Sequence, residues 1–296
     1  MRRVRRVLVA AVLLAGAGGA WWSGVVPCGL VVAQPACQLV VAGGPVLDTA
    51  ALMTLSPSPT ADRDVQVREP AGRLLVTTIE VSEPDGVGGW WAALRDPDLD
   101  LVARALLVPP GGDLVDVADA ARERMEESQR LAAGLALVEL GLAATPDATW
   151  SWPVDVRFAT DEVGGPSAGL MLALGVVARV APDDPTARPD GAASARPPVV
   201  VAGTGALDPD GRVVGVGGIS HKLRGVVADA RGGPMPDAFL LPVDDLAVAR
   251  RVELPRDVLL VPVSDLSAAV AALEVLAGGG EPDGAVRLAA ASRVGR

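Results

Sequence analysis

D-E-V-G-G-P-S-A-G-L-M-L-A-L-G-V-V, residues 161–177, is a glycine-rich turn that opens directly into an apolar run at helical spacing. Gly164 and Gly165 let the backbone turn tightly, and Ser167 falls at the start of the helix. A serine there can be a plain N-cap. It can equally be a nucleophile, because the free N–H groups and positive dipole end of the first turn stabilise an oxyanion. Pro166 has no N–H, so the expected donors are the amide of Ser167 itself and that of Gly164 or Gly165.

Upstream, W-P-V-D-V-R-F-A-T alternates apolar and polar residues and predicts a strand ending near Ala159. Residues 113–142 carry Leu and Ala at three- and four-residue intervals, a helix with a core-facing stripe. R-L-L-V-T-T-I-E-V from Arg73 reads as a strand, and residues 90–107 as a helical pattern interrupted by D-P-D. Downstream, V-V-V-A-G-T-G-A-L and R-V-V-G-V-G-G-I flank D-P-D-G, residues 208–211, which predicts a β-hairpin. G-G-I-S-H-K-L-R-G, residues 217–225, then opens a helix that stops at Gly232-Gly233. Strand (238–242), helix (244–252), strand (258–263) and helix (265–277) follow. The elements form one α+β domain over 72–277, with a flexible loop at 183–198 and a disordered tail at 278–296.

The N-terminus carries a different signal. Arg2, Arg3, Arg5 and Arg6 precede an uncharged apolar run from residue 7 to 26, and no charged residue follows until Asp48. A one-sided basic flank places the run as a single membrane span with the rest outside the cytoplasm, and Trp21 and Trp22 suit the outer interface. A-G-A and G-G-A also fit a cleaved signal peptide. Residues 1–26 are therefore read as cytoplasmic flank and anchor, and 27–71 as an extracytoplasmic linker. Cys28 and Cys37, the only two cysteines, could form a local disulfide there. The net charge of −10, without a basic stripe, argues against a nucleic-acid partner.

Of 26 basic residues, Lys222 is the only lysine, and His221 beside it is the only histidine. The chain's composition looks strongly GC-biased, so a stray surface lysine is the bland reading. Arginine cannot lose its proton near neutrality, however, whereas a buried lysine can. A serine nucleophile needs such a base. Bringing lysine from about 10.4 toward 7 or 8 costs about 4 kcal/mol, which burial can supply. Adjacent helical residues point about 100° apart, so only one of His221 and Lys222 can face Ser167 well.

P-S-A-G after a strand, then A-G-T-G, a D-G-containing hairpin and G-G-I-x-x-K resemble the proteolytic domain of Lon proteases. M-E-E-S-Q, residues 125–129, is similar to that family's opening helix. The likeness runs in order over roughly residues 72–277 and is greatest to the membrane-anchored, ATP-independent bacterial relatives that carry an inserted PDZ domain. The resemblance implies a Lon proteolytic-domain fold, a Ser167 nucleophile, Lys222 as general base, and Thr204 beside them to orient the amine. It also implies a polypeptide substrate and a homo-oligomeric ring. Here Gly164 stands where ATP-dependent relatives have an acidic residue, no PDZ insertion separates Leu142 from Trp150, and no G-K-[ST] of an ATPase is present.

The combined reading is an ATP-independent serine endopeptidase that needs no cofactor or metal. Two alternatives remain open at this point. Gly165 to Gly169 also satisfies G-x-S-x-G, which with His221 and Asp208 would make an esterase triad. The other is a non-catalytic anchored scaffold that binds peptides.

Overall fold

The computed structural model describes residues 35–59, 65–147, 149, 152–160, 163–188, 197–232 and 235–290. The proposed anchor at 1–26 and Cys28 lie outside these. Among the described residues, no helix is long and apolar enough to cross a membrane. Cys37, 2% exposed, is disulfide-bonded.

In chain order the elements are β1 (Gln38–Asp48), α1 (Thr49–Leu52), β2 (Met53–Pro57), β3 (Arg73–Ser82), α2 (Gly86–Ala93), β4 (Asp100–Ala103), α3 (Leu114–Glu139) and β5 (Val154–Phe158). A 3-10 turn (Pro166–Ala168) leads into α4 (Gly169–Val180), then β6 (Val200–Gly203), β7 (Ala206–Leu207), β8 (Val213–Val214) and α5 (Ile219–Asp229). The chain continues through β9 (Ala238–Pro242), α6 (Leu246–Ala249), β10 (Val258–Val263), α7 (Leu266–Ala277) and β11 (Val286–Leu288). The class is α+β, around a mixed sheet of order β11-β10-β9-β6-β3-β1-β4.

Two compact units share the chain: Met1–Gly43 with Ile79–Val117, and Gly44–Thr78 with Ala118–Arg296. In the first, the start of β1 pairs antiparallel with β4 from Gln38↔Ala103 to Val41↔Asp100. Trp90 Nε1 of α2 donates to Gln38 Oε1 at 2.6 Å. In the second, β3, β6, β9 and β10 run parallel, and β11 closes the edge antiparallel.

Those parallel strands are covered on both faces, which explains their continuous apolar sequences. Leu74, Val76, Val201, Leu240 and Val261 pack with α4 and α7. Leu75, Ala202, Phe239, Leu241 and Leu260 point the other way and pack with Ile219, Leu223, Val226 and Val227 of α5. All twelve residues of α4 are buried, as an all-round apolar helix must be. The strand expected to end near Ala159, the long helix, the hairpin and the strands at 238–242 and 258–263 stand where the sequence predicts them.

Four expectations need correction. Within the stretch read as a linker over 27–71, residues 38–57 are folded: they supply β1, α1 and β2. β2 pairs antiparallel with β5 from Met53↔Phe158 to Pro57↔Val154, about a hundred residues away. Polar composition hid a strand whose partner is distant in sequence. The loop read as flexible over 183–198 is fixed over its first part. The Asp184 carboxylate accepts from Ala71 N and Thr186 N, and the buried Thr186 hydroxyl accepts from Gly72 N; residues 189–196 lie outside the description. The tail read as disordered over 278–296 contains β11, paired from Val258↔Leu288 to Leu260↔Val286. The pattern read over 90–107 as helical with a D-P-D interruption is helical only before the break: the end of α2 is followed by a turn, β4 and a 3-10 turn.

Candidate active site

Ser167 lies in the 3-10 turn that introduces α4. Gly165 precedes it at φ +84°, a left-handed conformation that disfavours any residue with a Cβ. Gly164 has no room either: a Cβ would come 2.8 Å from Ala121 Cβ on α3. That crowding is a physical reason for glycine at this position.

Two further anchors fix the turn. Ser128 of α3, 7% exposed, donates its hydroxyl to Pro166 O at 3.1 Å. Thr204 and Gly205, in the loop after β6, hold Ser167 O from the other side: the Thr204 hydroxyl at 3.0 Å and Gly205 N at 2.8 Å. Leu170 N returns a bond to Gly205 O at 3.0 Å, so loop and helix start are laced together. The small residues of A-G-T-G make this approach feasible. A Cβ on Gly203 would lie 2.6 Å from Met171 Sδ, and one on Gly205 2.8 Å from Val213 Cγ1.

Lys222 arrives from α5. Gly218 at φ +75° turns the chain into the helix, and Lys222 N closes an early turn on Gly218 O at 3.0 Å. The side chain is 2% exposed, and Nζ lies 2.7 Å from Ser167 Oγ and 2.6 Å from Thr204 Oγ1. Burial lowers the amine's pKa from 10.5 to about 8, with the negative charge of Asp245 pulling the other way. The Asp245 carboxylate also accepts from Val216 N at 2.9 Å, in the segment leading into α5.

The hydrogen-bond roles are mutually consistent. The Thr204 O–H is committed to Ser167 O, so its oxygen is left to accept from Lys222. A neutral amine that donates to Thr204 can turn its lone pair toward the Ser167 hydroxyl. The amine is therefore both depressed in pKa and aimed.

The structure brings Ser167, Lys222 and Thr204 together. Of the two glycine amides offered as alternatives, that of Gly165 is engaged, donating to Ala121 O at 2.7 Å. The oxyanion donors left are the amides of Ser167 and Gly164. Nor does it assemble a triad: the Asp208 carboxylate is occupied within the hairpin turn, accepting from Asp210 N and Arg212 N at 3.0 and 2.9 Å. His221 is buried beside Lys222 on α5, and it is Lys222 that reaches Ser167.

Ser128, Gly205 and Asp245 adjoin the site, and residue-by-residue reading gives them no part in it. Ser128 sits within M-E-E-S-Q, so its segment was visible though its role was not. Asp245 carries no sequence signal beyond its place at the start of a helix. Neither a family model nor a curated protein matches the sequence.

Proposed function

We propose that the chain is an ATP-independent serine endopeptidase with a Ser167–Lys222 dyad on a Lon-type proteolytic fold. It would be held by its N-terminal segment as a single-pass protein at the outer face of a bacterial membrane. One observation carries the reading: the only lysine of the chain is buried with Nζ 2.7 Å from a serine hydroxyl at a helix start. Burial alone would make a lysine costly and inert; burial against a hydroxyl in an N-terminal turn gives it a use.

In this mechanism neutral Lys222 takes the Ser167 proton as Oγ attacks the peptide carbonyl. The oxyanion is met by the Ser167 and Gly164 amides at the positive end of α4. Protonated Lys222 then passes its proton to the leaving amine, and an acyl-enzyme remains. A water activated by the same amine hydrolyses that ester and restores the serine. Thr204 acts as a positioning residue throughout. The proposed substrate is an extended or loosely folded polypeptide. By the same resemblance the chain would work as a homo-oligomeric ring.

The test is hydrolysis of an unstructured protein, with and without ATP, by the parent chain and by Ser167→Ala, Lys222→Arg and His221→Ala. Activity should vanish in the first two, persist in the third and ignore ATP. Survival of activity in Lys222→Arg, with loss in His221→Ala, would reject the dyad.

A further inference from the structure

Outside the catalytic site, the main unexplained feature is where exposed apolar side chains collect. Among the described residues ten large ones are exposed, and six of them (Ile79, Trp91, Leu94, Leu106, Leu107 and Val115) fall in the first unit. Helix α2 is the centre of this. Its sequence G-V-G-G-W-W-A-A has no polar side chain at all. Trp90 faces inward to Gln38, while Trp91 and Leu94, three residues apart and so on one face, are about half exposed. A helix with no polar face and an exposed tryptophan needs an apolar neighbour.

The chain outside the described residues says which neighbour. The apolar run ends at Val26, and β1 begins at Gln38. Unconstrained, the eleven residues between them could let the ends stand roughly 40 Å apart. Cys37 is disulfide-bonded, and the chain's only other cysteine is Cys28. A disulfide holds its two Cα atoms within about 7 Å, so the tether shortens to less than about 20 Å. Gln38, and α2 bonded to it, must then lie near the point where the chain leaves the bilayer. That is the depth at which tryptophan is favoured. The Arg95 guanidinium sits over the Trp91 ring, 5.0 Å from its centroid, as a cation at the headgroup level above a ring in the acyl boundary would.

We propose that the Trp91–Leu94 face of α2 docks into the outer membrane–water interface as a second, monotopic attachment beside the span. This rests on the membrane reading of residues 1–26. Charge identifies the lipid chemistry: within Ile79–Val117 there are eight carboxylates and two arginines, a net charge of −6, so anionic headgroups would repel this segment. The surface is recognised by its apolar boundary and not by negative charge.

The experiment uses the full chain reconstituted in phosphatidylcholine vesicles, with and without acyl-brominated phosphatidylcholine as a tryptophan quencher. The parent is compared with Trp91→Phe and with Trp21→Phe/Trp22→Phe. Both variants should lose part of the bromolipid quenching seen in the parent, and raising the salt should leave the Trp91 component unchanged. Quenching that falls in Trp21→Phe/Trp22→Phe but not in Trp91→Phe overturns the docking and leaves the anchor standing. If neither variant alters quenching, the anchor reading fails and the docking falls with it. Trp91 emission that is insensitive to bromolipid but shifts blue with rising protein per vesicle means the face pairs with a second copy, which also overturns the proposal.

Discussion

Lys222→Met isolates what it costs this fold to keep a lysine at its centre. Methionine follows the same unbranched course without the charge. A pKa lowered from 10.5 to about 8 means that, at pH 7, the folded state holds a proton less favourably than the unfolded chain. At about 1.36 kcal/mol per unit, the penalty is about 3 kcal/mol. Because the folded pKa is the lower one, unfolding takes up protons between about pH 8 and 10.5. Stability of the parent should therefore rise with pH across that window, and the penalty is complete below it. The methionine variant escapes the penalty but leaves the Ser167 and Thr204 hydroxyl oxygens without the amine, at about 1 kcal/mol each. The net expectation is an inactive protein more stable than the parent by about 1 kcal/mol at pH 7. By pH 10 that advantage reverses, the difference having moved by about 2 to 3 kcal/mol. Urea unfolding at the two pH values measures it, on a soluble chain beginning at Pro27 so that Cys28, β1 and β2 are kept. Groups common to both proteins cancel in the difference. A gap that does not move with pH would refute the reasoning, because it would mean that the lysine is not a buried, depressed amine.

The same pKa governs rate: peptide hydrolysis should climb tenfold per pH unit below about 8 and level off above it, read as kcat/KM against pH. Asp245→Asn retains an acceptor for Val216 N but removes the charge that raises the lysine, so the midpoint of that profile should move to lower pH while the maximum persists. Thr204→Val should lower kcat by about 10- to 100-fold, since the amine loses its orienting acceptor, and Thr204→Ser should restore most of it. Gly203→Ala should destabilise by about 1–3 kcal/mol in thermal unfolding, because the added methyl meets Met171 Sδ at 2.6 Å and Leu240 O at 3.0 Å.

How far the sequence reveals this molecule depends on the distance over which each feature is decided. Ser167 at a helix start, the D-P-D-G hairpin and the apolar strands at 238–242 and 258–263 are set by neighbours a few residues away, and all are legible. β2 is not, because its pairing with β5 spans some hundred residues and its own M-T-L-S-P looks like loop. β11 fails for a related reason: three residues of half-buried strand acquire meaning only from the β10 edge they cover. The site divides along the same line. Lys222 was conspicuous because arginine fills every other basic position, and its helix excluded His221 as an equal partner. What lowers and aims the amine lies elsewhere in the chain. Strand residues such as Phe239 and Leu241 belong to the core around α5, Thr204 takes one amine hydrogen, and Asp245 limits the fall in pKa. None of these is adjacent to Lys222 in sequence. The choice between Gly164 and Gly165 as oxyanion donor is decided in the same way, since only the fold brings the Ala121 carbonyl to the Gly165 amide. Residue type can nominate a nucleophile and a base; whether they meet in a protonation state fit for work is decided by the tertiary neighbours.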